Sequence, residues 1–88
     1  MKSRNINFSP SALEELQEWI KAAPKLAGKI TELLAECVRT PFEGKGKPEP
    51  LKGDYRGYWS RRINDEHRLI YKVDDDFVYV VACKGHYS

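Results

Sequence analysis

The sequence has only two cysteines, Cys37 and Cys83, among its 88 residues. Two cysteines are too few for a disulfide framework, and both lie among apolar neighbours, so we expect reduced core residues. Long apolar runs are missing too, since none approaches the roughly 20 residues that a membrane helix needs. The first ten residues lack the apolar segment of a secretory signal. We therefore expect a cytoplasmic protein that does not span a membrane.

Groups that support metal or nucleotide chemistry are also scarce. There are two histidines, and no Cys/His spacing matches a zinc site. Asp74, Asp75 and Asp76 are consecutive in a predicted turn, so their side chains should diverge. No phosphate-binding glycine fingerprint is present. We therefore expect neither a metal ion nor another cofactor.

What the sequence does have is positive charge concentrated in its middle third. The formal net charge is +2. Residues 39–72 carry nine basic and five acidic side chains, a net charge of +4, whereas residues 1–38 carry five of each. A patch of one sign favours a polyanionic partner such as RNA. A solvated face without a ligand is the plainer alternative.

Helical patterns occupy the first half of the chain. Ser9 followed by Pro10 is typical of a helix start. Pro24 should close this helix and open a second one, which Pro41 ends after Thr40. Apolar residues follow helical spacing in both, namely Leu13, Leu16, Trp19, Ile20 and Ala23, then Leu26, Ile30, Leu33, Leu34 and Cys37. Because the joint is so short, the two helices should form an antiparallel hairpin.

Strand-like runs fill the second half, at residues 57–63, 67–73 and 77–87, and residues 3–8 can add an edge strand. The last run is apolar on both faces, so it should lie centrally in the sheet. One sheet face should pack on the helices and leave the other open and basic. Arg61 fits this pattern badly, because alternation places it with Trp59 and Ile63, and we expect it to snorkel at the sheet edge.

These patterns predict one α+β domain over residues 1–88. Its architecture is an N-terminal β-strand and an antiparallel helical hairpin, packed together on one face of an antiparallel β-sheet.

One carboxylate, Glu49, lies between Pro48 and Pro50 in KGKPEPLKG (45–53). The prolines restrict the backbone and should hold the acid at a reduced entropy cost. An ionised carboxylate there can accept a proton, and cations could surround it, namely Lys45, Lys47 and Lys52. A simple surface ion pair, worth little energetically, is the alternative interpretation.

Arg62 and Arg68 should lie on adjacent strands and on the same exposed face, where two guanidinium groups could clamp a phosphate. A solvated strand face is equally consistent with the pattern. His86 could act as a general acid or base, and Tyr87 could stack on a base. The other histidine, His67, is interpreted as structural. A chemistry that needs only these groups is metal-independent RNA cleavage.

The segments TPFEGKGKPEPLK, GYWSRRI, EHRLIY and the terminal HY resemble the YoeB (Txe/YoeB) branch of the RelE/ParE toxin superfamily. The resemblance implies a RelE-like, microbial-ribonuclease-like fold. It also implies the toxin of a type II toxin–antitoxin system, a ribosome-dependent endoribonuclease that inhibits translation by cutting mRNA in the A site.

By matching positions, the resemblance implies that Glu49 is the general base and His86 the general acid. Arg68 would stabilise the transition state, and Tyr87 would orient the substrate. Lys52 and Arg62 match auxiliary basic positions that hold phosphate, and from the loop sequence itself we expect Lys45 and Lys47 to bind the RNA backbone with them. The residues alone leave open which of Glu49 and His86 is the base.

The resemblance further implies a YefM-like antitoxin, a homodimer, and operator DNA bound only through the toxin–antitoxin complex. Two departures stand out: Ser88 follows Tyr87, and Gly85 should add freedom just before His86. Two other functions stay open, namely a gyrase-poisoning toxin of the ParE branch and a non-catalytic module that binds RNA or protein.

Overall fold

The structure is a computed structural model that describes residues 3–85. Two helices follow the first strand, and the remaining strands complete a five-stranded sheet in the order β1-β5-β4-β3-β2. The elements are β1 (Asn5–Phe8), α1 (Pro10–Ala22), α2 (Pro24–Cys37), β2 (Glu49–Pro50), β3 (Trp59–Arg62), β4 (Arg68–Val73) and β5 (Phe77–Ala82). The predicted α+β architecture, with an edge strand and a helical hairpin on one sheet face, is confirmed.

The sheet is mixed rather than antiparallel throughout. The pairs β2–β3, β3–β4 and β4–β5 are antiparallel, but β1 runs parallel to β5, from the pair Asn5–Phe77 to the pair Phe8–Val80. A parallel pair needs a long crossover between its strands, and the intervening helices and strands supply it. With β1 on one side and β4 on the other, β5 lies inside the sheet, as its two apolar faces predict.

The helix boundaries follow local chemistry. Ser9 caps α1, its hydroxyl accepting a hydrogen bond from the Ala12 N–H at 3.1 Å, and Pro10 and Pro24 each occupy a first turn. The second helix ends at Cys37, earlier than predicted, because the Arg39 and Thr40 N–H groups close a final turn on the Glu36 carbonyl. Within the described residues, neither helix is long and apolar enough to cross a membrane.

The main core lies between the hairpin and one sheet face. Cys37 and Cys83 are buried there as free thiols, as predicted. The expected apolar stripe of α1 is wrong in part, because Leu13 and Ile20 are 48% and 55% exposed. The helix instead turns Ala12, with Leu16 and Trp19, toward the core, a stripe with the same helical spacing. The other buried core residues are Ile30, Leu33, Leu34, Ile63, Leu69, Tyr71, Val78 and Val80.

The opposite sheet face is only partly open. Leu51, Ile70 and Ala82 form a second buried cluster there, with Tyr58 packed against it. The expectation of an open, basic face is therefore wrong in part, since Leu51 and Tyr58, which follow β2 in the chain, pack on this face with Ile70 and Ala82.

Candidate functional site

Acidic and basic side chains share the sheet face opposite the hairpin. Glu49 pairs with Ser60 across β2 and β3, and Arg62 pairs with Arg68 across β3 and β4. Opposed residues of antiparallel strands project to the same face, as do residues two apart along one strand, roughly 7 Å from each other. Glu49, Ser60, Arg62 and Arg68 therefore lie on one face, which we call the acid–arginine face. The predicted cross-strand placement of the two arginines is confirmed.

The two arginines differ in their surroundings. Arg62 is exposed, whereas Arg68 is only 8% exposed, contrary to the expectation of an open position. The Arg68 guanidinium donates from Nη1 to the carbonyls of Asn64 at 2.7 Å and His67 at 3.1 Å. These carbonyls of the β3–β4 turn fix the Arg68 charge in place, whereas the Arg62 side chain is exposed to solvent.

The loop before β2 lies against Arg62. The Gly46 carbonyl accepts the Arg62 N–H at 2.6 Å. Gly46 has a φ of 81°, and a Cβ there would lie 3.0 Å from the Arg62 carbonyl oxygen, so the close approach requires glycine. Lys45, Lys47 and Arg62 line one cleft of about 330 Å³, together with Lys29 of α2. The structure thus brings three of the predicted cations together.

Lys52 is the predicted cation that this cleft does not include. It is exposed and follows Leu51 directly after the edge strand. Glu49 is exposed as well, at the end of the acid–arginine face formed by β2. Lys52 therefore lies three residues after Glu49 on the chain and not among the residues of the cleft.

Arg61 is completely buried and does not reach the sheet edge, so the expected snorkelling is wrong. It finds enough acceptors inside the fold to satisfy its guanidinium. Nε donates to the Tyr71 hydroxyl at 3.2 Å, Nη1 to Glu36 Oε1 at 2.7 Å and to the Lys45 carbonyl at 3.2 Å, and Nη2 to the carbonyls of Thr40 at 2.5 Å and Glu43 at 2.9 Å. A buried charge is tolerated where it is paired and hydrogen bonded in this way.

The same contacts anchor residues 40–47, which we call the anchored loop. Glu36 Oε1 also accepts the Lys45 N–H at 2.6 Å, and this hydrogen bond, followed by the one from Arg61, lowers the pKa of the Glu36 carboxyl. The Tyr71 hydroxyl donates to the Pro41 carbonyl at 2.6 Å, and burial raises the pKa of Tyr71. The loop that leads to Glu49 is therefore tied to both α2 and the sheet.

His86 and Tyr87, the remaining predicted site residues, lie outside the described residues. The last described residue, Gly85, accepts the Arg68 N–H through its carbonyl at 2.9 Å. The backbone of Gly85 thus lies beside that of Arg68, one residue before His86 in the sequence. Sequence reasoning missed the anchoring role of Arg61, for which the only signal was a charged residue at an apolar position of the strand pattern.

Metal ligands do not cluster in the part of the chain that the structure describes. Within residues 3–85, no group of three or more His, Cys, Asp or Glu side chains could hold an ion. The acid–arginine face carries one carboxylate, Glu49, and two guanidinium groups, Arg62 and Arg68.

These features define a class of protein: a small α+β domain with a helical hairpin on a mixed sheet and a charged site on the other face. YafQ of Escherichia coli shares this fold at a TM-score of 0.80 and 20% identity, over 94% of this chain and 93% of that one. The model of the family described as the YoeB-like toxin of bacterial type II toxin–antitoxin systems matches residues 8–87. The chain belongs to this family and is the toxin of a type II toxin–antitoxin system.

Several relatives of this family are similar to the chain over nearly their whole length. Toxin YoeB of Mycobacterium bovis is 51% identical over 84 residues, 96% of this chain and 99% of the relative. The YoeB dimer from Staphylococcus aureus is similar in structure at a TM-score of 0.90 and 47% identity, covering 98% of this chain and 100% of that one. The heterotetrameric YoeB–YefM complex of the same organism gives a TM-score of 0.86 at the same identity and coverage.

Proposed function

We propose that this toxin is a ribosome-dependent endoribonuclease that inhibits translation by cutting mRNA in the A site, with the whole chain acting as one domain. The observation that carries the proposal is the acid–arginine face, where Glu49 shares a surface with the opposed pair Arg62 and Arg68. A carboxylate can accept a proton, and two guanidinium groups can bind one phosphate. RNA cleavage through its own 2′-hydroxyl needs these functions and no metal ion.

In the proposed reaction, Glu49 takes the proton of the ribose 2′-hydroxyl. The 2′-oxygen then attacks the adjacent phosphorus, and a pentacovalent phosphorane forms with added negative charge on its equatorial oxygens. Arg68, already fixed by the Asn64 and His67 carbonyls, stabilises that charge together with Arg62. The bond to the 5′-oxygen breaks as His86 donates a proton to it, which leaves a 2′,3′-cyclic phosphate and a 5′-hydroxyl.

The remaining predicted residues would bind the substrate. Tyr87 is assigned to orient the nucleotide, as the family pattern implies. Lys45 and Lys47 line the cleft beside Arg62 and would receive the RNA backbone, with Lys52 three residues after Glu49 on the chain. Phosphate contacts of this kind position a strand without reading its sequence.

We also propose the partners of this toxin by analogy with its relatives. YoeB from Staphylococcus aureus is described as a dimer and in complex with YefM. A homodimer and a YefM-like antitoxin follow for this chain, with operator DNA bound only through the toxin–antitoxin complex. The mRNA target places its action in the cytoplasm, on ribosomes.

The experiment that tests the function compares Glu49→Gln with Glu43→Gln, a matched change of an exposed acid in the anchored loop. Purified protein is added to ribosomes programmed with mRNA in excess EDTA, and the new ends are mapped. We expect cleavage to a cyclic or 3′-phosphate, a rate lower by on the order of 10²- to 10⁴-fold for Glu49→Gln, and a nearly unchanged rate for Glu43→Gln.

Other outcomes would favour the other functions. Intact mRNA on stalled ribosomes would indicate a non-catalytic binding module instead of an enzyme. Inhibition of gyrase without RNA cleavage would indicate a ParE-like activity. Equal rates for the wild type and Glu49→Gln would refute the role of Glu49 as a base while leaving cleavage itself established.

A further inference from the structure

Gly85 is held by hydrogen bonds on both sides of its residue. Its N–H donates to His67 Nδ1 at 2.9 Å, and its carbonyl accepts the Arg68 N–H at 2.9 Å. Its φ of 96° is in the region that favours glycine. The freedom expected for Gly85 from the sequence is therefore removed by His67 and Arg68, two consecutive residues.

His67 is itself fixed in position. Its backbone N–H donates to Asn64 Oδ1 at 2.8 Å, and its ring packs edge-on against Trp19 of α1 with the ring centres 4.8 Å apart. Only 20% of its side chain is exposed. The imidazole is therefore a rigid acceptor, held between the β3–β4 turn and the first helix.

The first helix also holds the residues just before Gly85. The Trp19 indole N–H donates to the Cys83 carbonyl at 2.8 Å, and Glu15 accepts the Cys83 N–H at 2.8 Å. Lys84 forms an ion pair with Glu18 at 3.0 Å. Cys83 and Lys84 are thus attached to α1, and Gly85 is held in turn by His67, which packs on the same helix through Trp19.

The hydrogen bond from Gly85 defines what His67 can do. Nδ1 accepts the Gly85 N–H, and Nε2, the other ring nitrogen, lies 4.0 Å from the Glu66 carboxylate. The imidazole therefore accepts a hydrogen bond from the backbone and is not one of the side chains of the acid–arginine face.

We propose that His67 is a positioning residue: by accepting the Gly85 N–H it sets the direction in which the chain continues to His86 and Tyr87. The inference rests on the proposed function. A glycine freed from this contact could rotate about φ and ψ, so the backbone direction at Gly85 would no longer be set by His67. A misplacement of about 1 Å can cost on the order of 100-fold in rate.

The test uses two substitutions of His67 whose side chains have nearly the same size and shape, and only one of them can accept a hydrogen bond. Asparagine carries a polar atom on Cγ, about where Nδ1 is, and can still accept the Gly85 N–H, whereas leucine fills the space against Trp19 but accepts nothing. We expect His67→Leu to lower kcat about 10- to 100-fold with KM within about twofold, and His67→Asn to stay within about threefold of the wild type.

A second measurement does not depend on activity. Hydrogen exchange of the Gly85 amide, followed by NMR, should be slow in the wild type and in His67→Asn, and faster in His67→Leu. Equal exchange in the wild type and His67→Leu would overturn the proposal, and so would an equal loss of kcat in both variants. A wild-type protein without nuclease activity would overturn the proposed function and this catalytic role together, and slow Gly85 exchange would then show that the contact itself is right.

Discussion

Replacing Tyr71 by phenylalanine tests how strongly the anchored loop is tied to the core. The ring of Tyr71 is fully buried and would stay in place. The substitution removes only the hydroxyl, which donates to the Pro41 carbonyl at 2.6 Å and accepts from Arg61 Nε at 3.2 Å. Pro41 and Arg61 are both buried, so neither group can turn to solvent for a replacement.

The expected cost follows from these two lost partners. A buried polar group without a partner costs about 1–3 kcal/mol, and more where the group is charged, as Arg61 is. The other donors of Arg61 keep their carbonyl and carboxylate partners, so Arg61 loses the partner of one N–H and Pro41 that of its carbonyl. We therefore expect the free energy of unfolding to fall by about 2–4 kcal/mol. A chain of this size should then melt roughly 10–20 °C lower.

Urea denaturation followed by tryptophan fluorescence measures this change, and the slope m should stay the same. Tyr79→Phe is the matched control, because it removes a hydroxyl that donates to Asp74 Oδ2 at 2.8 Å on the exposed side of the sheet. We expect the control to lose far less stability than Tyr71→Phe.

Equal losses in the two variants would refute the reasoning, because burial would then not decide the cost. A loss below about 1 kcal/mol in Tyr71→Phe would show that the Pro41 carbonyl and Arg61 find other partners, and that the anchored loop is held without this hydroxyl. A changed m would indicate a different native or unfolded ensemble instead.

Two further predictions concern glycine and cysteine. Gly46→Ala should lower the free energy of unfolding, because Gly46 has a positive φ and a Cβ there would lie 3.0 Å from the Arg62 carbonyl oxygen. Gly28 lies in a helix with open space around it, so Gly28→Ala should raise the free energy of unfolding by roughly 0.5–1 kcal/mol in the same urea assay. Burial raises the pKa of Cys83 from 9.0 to about 12, so the folded state keeps a proton that the unfolded state loses. Stability should therefore fall as pH rises from about 9 toward 12, by up to about 1.4 kcal/mol per pH unit, and unfolding curves of Cys83→Ala should show a shallower fall.

Local patterns were enough to predict most of the fold. Ser9 and Pro10 set the first helix start, Pro24 sets the joint, and alternation placed Arg62 and Arg68 on one face, since each of these signals acts within a few residues. The direction of β1 could not be predicted, because the strand it pairs with, β5, begins at Phe77, far away in the sequence. The buried face of α1 was ambiguous for a different reason: two apolar stripes with the same spacing compete, and only packing against the sheet decides between them.

The candidate site was predictable to a different extent. The pairing of Glu49 with Ser60 depends on a two-residue strand too short to recognise from its own sequence. The contacts that hold the site depend on long-range partners, such as Glu36 for Arg61 and Trp19 for His67. The alternation within one strand can show that Arg61 points inward, but it cannot show that hydrogen-bond acceptors surround the guanidinium there.

Each site arginine is preceded in the sequence by a residue that holds the chain around the site. Neighbours along a strand point to opposite faces, so Arg61 enters the hairpin side and binds the anchored loop while Arg62 stays on the acid–arginine face. His67 does the same before Arg68, meeting α1 through Trp19 and holding Gly85. The geometry of the acid–arginine face therefore depends on contacts made on the hairpin side, and changes at Glu36 or Trp19 should alter the site without touching a bound ligand.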